Sequence, residues 1–187
     1  MSDRRMIMKS ELAVVNEKLK STGLSKVEKG KLMMEQSILG QGVQSMSDGI
    51  RELGEMGKKE DVSFHFKAHD KGDGGIEAYR DSKDDTGITS FTIGYQFGGR
   101  GNRVHETKHA YDLWKNTFGD YSPQWSGNSR KTDSFLYRKV GDTSSQYLFE
   151  HAAYKRQFHF DPSTSPVDYN QLNPKGIKAL NPTTYKW

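Results

Sequence analysis

Apolar residues in the first third of the chain recur at helical spacing. A segment around Ile7–Leu19 reads as a helix that stops near Gly23, and Ser25-x-x-Glu28 forms a capping box opening a second one. Val27, Leu32, Met33, Ile38 and Leu39 carry its apolar face, Gly40 is expected to end it, and a weaker third helix is expected over Val43–Met56. From Asp61 the period shortens to two. Val62–His69, Ile76–Arg80 and Thr89–Phe97 alternate between Gly- and Asp-rich turns and predict a small antiparallel sheet, with Asp70–Gly75 as a hairpin turn. Period four returns at Val104–Asn116, where Val104, Ala110, Leu113 and Trp114 sit among polar residues, just after the turn-forming stretch Gly98–Asn102. Phe118–Asp142 reads as a long loop. Thr143-x-x-Gln146 then caps a second helix through Leu148, Phe149, Ala152, Ala153, Tyr154 and Phe158. After Asp161 the tail holds Pro162, Pro166, Pro174 and Pro182 and is expected to be extended or coiled. These elements define an α+β chain, with N-terminal helices over 1–57 and a second region over 58–187 packing with them as one compact unit.

The helix at Val104 carries His105-Glu106-Thr107-Lys108-His109, an H-E-x-x-H pattern. Residues four apart share a helix face, so both imidazoles can reach one ion while the carboxylate beside the first leans over the water to be activated. That is the core of a zinc hydrolase, expected at the start of its helix. Lys108 stands where such helices usually carry an uncharged residue and must find solvent or an acidic partner. Catalytic zinc takes three protein ligands and keeps a fourth position open. Asp112 and Lys115 occupy the positions where a longer motif would place its Gly and third His, so the third ligand must come from elsewhere.

Glu150 is the leading choice, as a lone carboxylate in an apolar half of the later helix. His151, about 100° round that helix, competes with it, and Asp112 and Asp133 are further alternatives. Tyr154, one turn after Glu150, shares its face and could donate to an oxyanion. Arg156 could bind a substrate carboxylate or pair with an acid. His65 and His69, on one side of a strand, are assigned surface or packing roles, and His159 a favourable place at a helix end.

Composition narrows the chemistry. Cysteine is absent, so any metal must be held by His and carboxylates. The 28 Lys+Arg are interleaved with 24 Asp+Glu for a net charge of +4, without an arginine-rich arm, and a nucleic-acid partner is not expected. Mean hydropathy is −0.88, and no stretch approaches the roughly 18 apolar residues of a membrane span. Lys9, Glu11, Glu17 and Lys18 interrupt any apolar run near the N-terminus, so no signal peptide is read.

The strand pattern, the Gly turn, the HETKHAYD helix at 105–112 and the later E-x-x-A-Y-K-R-Q run at 150–157 resemble the small zincin-type metallopeptidase domains found as bacterial effectors and as C-terminal toxin modules of Rhs-type polymorphic toxins. The resemblance covers roughly residues 60–160 and leaves out the N-terminal helices. It implies His105, His109 and Glu150 as Zn2+ ligands, Glu106 as the catalytic base, a protein or peptide substrate, and a cognate immunity protein. It further implies a chain secreted or delivered into a recipient cell without a classical signal peptide, a cytoplasmic protein being the alternative. The strand Thr89–Phe97 is expected to present an edge to an extended peptide. A cell-wall amidase, or a binding module with an accidental motif, are the rival readings.

Overall fold

The computed structural model describes residues 1–70, 74–82, 87–117, 121–125, 129–137, 139–140 and 143–182, and the chain divides into two compact units, Met1–Leu53 and Gly54–Trp187. The α+β class is borne out, with helices predominating over a small mixed sheet.

The first unit is built from α1 (Ser2–Leu19) and most of α2 (Lys26–Met56). The expected capping box forms at Ser25, whose hydroxyl accepts from the Glu28 backbone N–H while Glu28 accepts from the Ser25 N–H at 2.9 Å. The Gln36 side chain donates to Asn16 at 2.7 Å and ties the two helices together. Gly40 does not end a helix, and the two helices expected over 27–56 are one. A glycine inside a helix costs only about 1 kcal/mol and, unlike proline, keeps its N–H. With no proline in the segment, the hydrogen-bond ladder runs on to Met56.

In the second unit, β1 (Ser63–His69), β2 (Gly75–Tyr79) and β3 (Ser90–Gln96) form one sheet in the order β1-β3-β2. The strand segments fall where alternation places them, but the sheet is not antiparallel throughout. β1 runs parallel to β3 from Ser63↔Ser90 to His69↔Gln96, and β2 runs antiparallel to it with Ile76 opposite Ile93. Alternation encodes which face a residue takes and carries no information about strand direction. β1 and β2 are therefore not a hairpin, and residues 71–73 of the expected turn lie outside the described residues. β3, expected as an edge, is the central strand, which explains why Phe91 and Ile93 are fully buried.

Much of the expected loop after residue 118 is paired. β4 (Tyr121–Trp125) and β5 (Thr132–Tyr137) make an antiparallel ribbon, followed by the short pair β6 (Lys139–Val140) and β7 (Thr143–Ser144). Pro123 is compatible with a strand because a two-stranded ribbon leaves it an outer edge. The ribbon joins the sheet beside the end of β2, where the Ala78 N–H donates to Thr132 Oγ1 at 3.1 Å.

α3 (Arg100–Lys115) lies on the sheet, and α4 (Ser145–Phe160) packs against α3. Phe91, Ala78, Leu113 and Phe149 share one core cluster, and Ile93, Ala110, Tyr111 and Met56 form another. Phe64 stacks on Phe91 with centroids 5.5 Å apart. Complete burial of an aromatic or leucine side chain contributes about 1.5–3 kcal/mol, so these clusters fix where α3 sits on the sheet. The cap of α4 lies one residue later than Thr143: Ser144 is the N-cap, and its hydroxyl accepts from the Gln146 N–H.

The tail is more helical than its prolines suggest. Pro162 opens a 3-10 turn, and Pro174 opens α5 (Pro174–Leu180) behind an Asn173 N-cap. Proline at the first helical position loses an N–H that would have had no intrahelical partner, so here it starts helices. Gly101 shows how tightly this tail meets α3: a Cβ there would stand 1.9 Å from Thr164 Oγ1 and 3.2 Å from Gln157 Cγ.

Candidate metal centre

α3 begins at Arg100, so the histidine motif sits in the second turn and not at the start. The turn before it requires Gly98, whose φ of 78° is left-handed. One helical turn brings His105 and His109 onto the same face, with their Nε2 atoms 3.0 Å apart. α4 crosses this face and supplies Glu150, whose Oε2 lies 3.7 Å from His105 Nε2 and 3.4 Å from His109 Nε2. An ion bound tetrahedrally at about 2.0–2.1 Å from each ligand separates its ligand atoms by roughly 3.3 Å. The three observed edges bracket that value. His105, His109 and Glu150 form a group that could hold a metal ion, each offering one ligand atom from a buried or half-buried side chain.

The electrostatics suit such a group. Burial, reinforced by the neighbouring His109, pushes the His105 imidazole down to about 3, against the opposing pull of Glu150 and Gln157. That imidazole is thus neutral, as ligation requires, across the neutral range. Burial also works against protonated His109, but the Glu150 carboxylate, with Glu106 and Asp112 behind it, outweighs burial and holds His109 above its ordinary value.

Glu106 is buried beside His105, next to the ligand atoms rather than among them. Asn102, one turn earlier, approaches Glu106 Oε1 with its side-chain amide at 3.5 Å. Tyr154 follows Glu150 by one turn, and its ring centroid is 4.4 Å from that of His105. These residues line an open cleft of about 540 Å³, bounded by Gly74 and Gly75 at the start of β2, by Gln157 on α4, and by Thr164, Pro166, Leu180 and Asn181 of the tail.

The remaining expectations sort by position. Lys108 finds an acidic partner inside the protein, forming an ion pair with fully buried Asp112 one turn on. This pairing takes Asp112 out of the ligand set. His151 lies off the Glu150 face, with its ring beside Tyr147, and the side chain of Asp133 lies outside the described residues. Arg156 is buried and does not line the cleft, because two residues beyond Tyr154 the helix has turned its side chain to another face. His65 is exposed on β1, His69 packs over Gly94, where a Cβ would meet its Nε2 at 2.8 Å, and His159 is fully buried near the Tyr169 ring.

Sequence reasoning missed Asn102, Gly74, Gln157 and the tail residues. Asn102 precedes Glu106 by four and Gln157 follows Glu150 by seven, so helical spacing alone could have found both. No local signal brings Gly74 or Leu180 to the cleft. No helix among the described residues is long and apolar enough to cross a membrane.

The chain matches no family model, no curated protein and no solved structure. Fold and site together define an α+β protein whose H-E-x-x-H helix and following helix assemble a candidate metal centre in an open cleft.

Proposed function

We propose that this protein is a zinc-dependent metallopeptidase, with His105, His109 and Glu150 holding the ion and Glu106 acting as the base. The observation that carries this reading is the convergence of the three ligand atoms, 3.0 to 3.7 Å apart, with a non-ligating buried carboxylate beside them in a cleft. Zinc suits the donor set, two imidazoles and one carboxylate without thiolate, and when bound it supplies the Lewis acidity that polarises a carbonyl and acidifies water. Glu106 takes the proton of the attacking water and passes it to the leaving amine, so both proton transfers run through one carboxylate. Tyr154, which lines the same cleft as Glu150, would donate to the developing oxyanion. Because β3 is central and the ribbon occupies the end of β2, an extended peptide would meet the sheet at the start of β2, where Gly75 lines the cleft.

The sequence resemblance to effector and toxin modules extends the proposal to delivery into a recipient cell, where the substrate would be a protein and a cognate immunity protein would protect the producer. Metal analysis after zinc reconstitution, paired with peptide hydrolysis by wild type and Glu106→Gln, tests the reading. One zinc per chain in both proteins, with turnover at least about a hundredfold lower in the variant, is expected, since the substitution removes a base and spares the ligands. Absence of bound metal, or equal turnover in the two, would remove the proposal.

A further inference from the structure

Glu106 reaches the cleft on a side chain with three rotatable bonds, and a base must be held in one place to work. Two neighbours restrict it. Asn102, on the same face of α3 one turn earlier, turns its amide nitrogen toward Glu106 Oε1 at 3.5 Å, while its amide oxygen accepts from the backbone N–H of Gln96 at 3.0 Å. Gln96 is the last residue of β3, so Asn102 spans from the central strand of the sheet to the carboxylate. On the other side stands Gly74. A Cβ built there would lie 2.5 Å from Glu106 Cγ, 2.6 Å from Glu106 Oε1 and 2.8 Å from Asn102 Oδ1. The side chain thus lies between an amide anchored to the sheet and a backbone that approaches closely because it carries no side chain.

We propose that Asn102 is a positioning residue that sets the direction of the Glu106 carboxylate, with Gly74 as the opposing wall of the same clamp. The Asn102 amide has two distinct jobs, one per atom: the oxygen docks it on β3, and the nitrogen orients Glu106. A 3.5 Å separation is long for a hydrogen bond, and such contacts in catalytic sites tighten when substrate is in place. The inference rests on Glu106 being the base, but the position of its carboxylate can be observed without any assay of activity.

Crystal structures of wild type, Asn102→Ala, Asn102→Asp and Gly74→Ala decide the matter. Asn102→Asp keeps an acceptor for the Gln96 N–H while losing the donor to Glu106, so the strand anchor survives and the orientation does not. Gly74→Ala crowds chiefly Glu106 Cγ and Oε1, at 2.5 and 2.6 Å, on a long side chain that can swing away, and presses less closely on Asn102 Oδ1 at 2.8 Å. In all three variants the Glu106 carboxylate is expected to move by more than about 1 Å, a displacement that can cost about a hundredfold in rate. His105, His109 and Glu150 are expected to stay in place, and zinc affinity in the uncharged variants Asn102→Ala and Gly74→Ala to hold within about twofold, because neither alters a ligand or adds a charge. On a peptide substrate, kcat of Asn102→Asp should fall by about ten- to a hundredfold with KM little changed. A Glu106 carboxylate that stays in its wild-type position in Asn102→Ala and Asn102→Asp would overturn the proposal whatever the kinetics. If instead the carboxylate moves but wild type hydrolyses no peptide, the clamp stands and the peptidase reading falls.

Discussion

Glu150 Oε2 lies 3.4 Å from His109 Nε2, although the two residues stand on different helices that meet only through the packing of α4 on α3. The metal group is therefore a product of tertiary structure. His105 and His109 are paired by one helix, but Glu150, the third candidate ligand, comes from α4, whose Phe149 and Ala153 are buried. Replacing Glu150 with Ala should weaken zinc binding by more than about tenfold in a chelator competition, because it removes one of three ligands. His151→Ala, which alters a side chain directed away from the group, should change it by less than about twofold. The opposite ranking would transfer the ligand role to His151.

Zinc affinity should fall as the pH is lowered through the neutral range. Ligation requires an unprotonated imidazole, and His109 is held above its usual value by Glu150, Glu106 and Asp112, so its proton competes with the ion. His105, pushed down to about 3, does not compete until far lower pH. One proton is thus displaced from the histidine pair below the His109 pKa, and the apparent dissociation constant should rise by up to about tenfold per pH unit there. Titration calorimetry in buffers of different ionisation enthalpy reads this proton release directly. A proton count of zero at pH 6 would contradict it.

The ion pair between Lys108 and Asp112 lies inside the protein, with Asp112 fully buried. Removing one partner of a buried ion pair typically costs about 3–5 kcal/mol. Lys108→Met should therefore lower unfolding free energy by an amount of that order in urea denaturation. The double substitution Lys108→Met with Asp112→Leu should recover a large part of the loss, since both charges of the pair are then gone. A Lys108→Met protein as stable as wild type would show that Asp112 is neutralised by another group.

The parts of this structure that were legible in the sequence are those set by local spacing. His105, His109, the Glu150 and Tyr154 pair, the three strand segments of the sheet and the Ser25 cap all follow from periods of two or four and from capping chemistry. What escaped depends on contacts between segments remote in sequence. The parallel pairing of β1 with β3 is one such case, since Phe64 alternates identically whichever way its strand runs. Gly40 misled because a glycine ends a helix only where a left-handed cap is needed, and none forms there. Gly101 and Gly74 look like loop residues, yet their lack of a side chain is what lets Thr164 and Glu106 approach. Lys108 stands where an uncharged residue is expected, and its charge is accommodated because Asp112, one turn on, is buried with it.

Phe91 is a direct test of how the core positions the site. Fully buried in the central strand, it stacks on Phe64 and shares a cluster with Leu113 of α3 and Phe149 of α4. Phe91→Ala should lower stability by about 3–5 kcal/mol, because the ring lies where three elements meet and its loss leaves a cavity. If the cluster holds α3 and α4 in register, zinc affinity measured below the melting transition should fall as well, since Glu150 rides on the same helix as Phe149. A large loss of stability with unchanged zinc affinity would show that the ligand geometry is held locally.

The proposed toxicity separates a delivered effector from a resident peptidase. The Glu106→Gln side chain has nearly the same size and keeps the clamp between Asn102 and Gly74 filled, so the variant should fold and bind zinc as wild type does while losing its base. Wild type produced inside a recipient cell, in the cytoplasm or directed to the periplasm, should slow growth in at least one compartment, and Glu106→Gln should not in either. Growth curves with matched protein levels measure the difference. If wild type harms the cell and the variant harms it equally, the damage does not come from hydrolysis. Harmlessness of both in both compartments would refute the effector proposal and leave a peptidase of another purpose, whose zinc stoichiometry and Glu106-dependent turnover would be unaffected by that result.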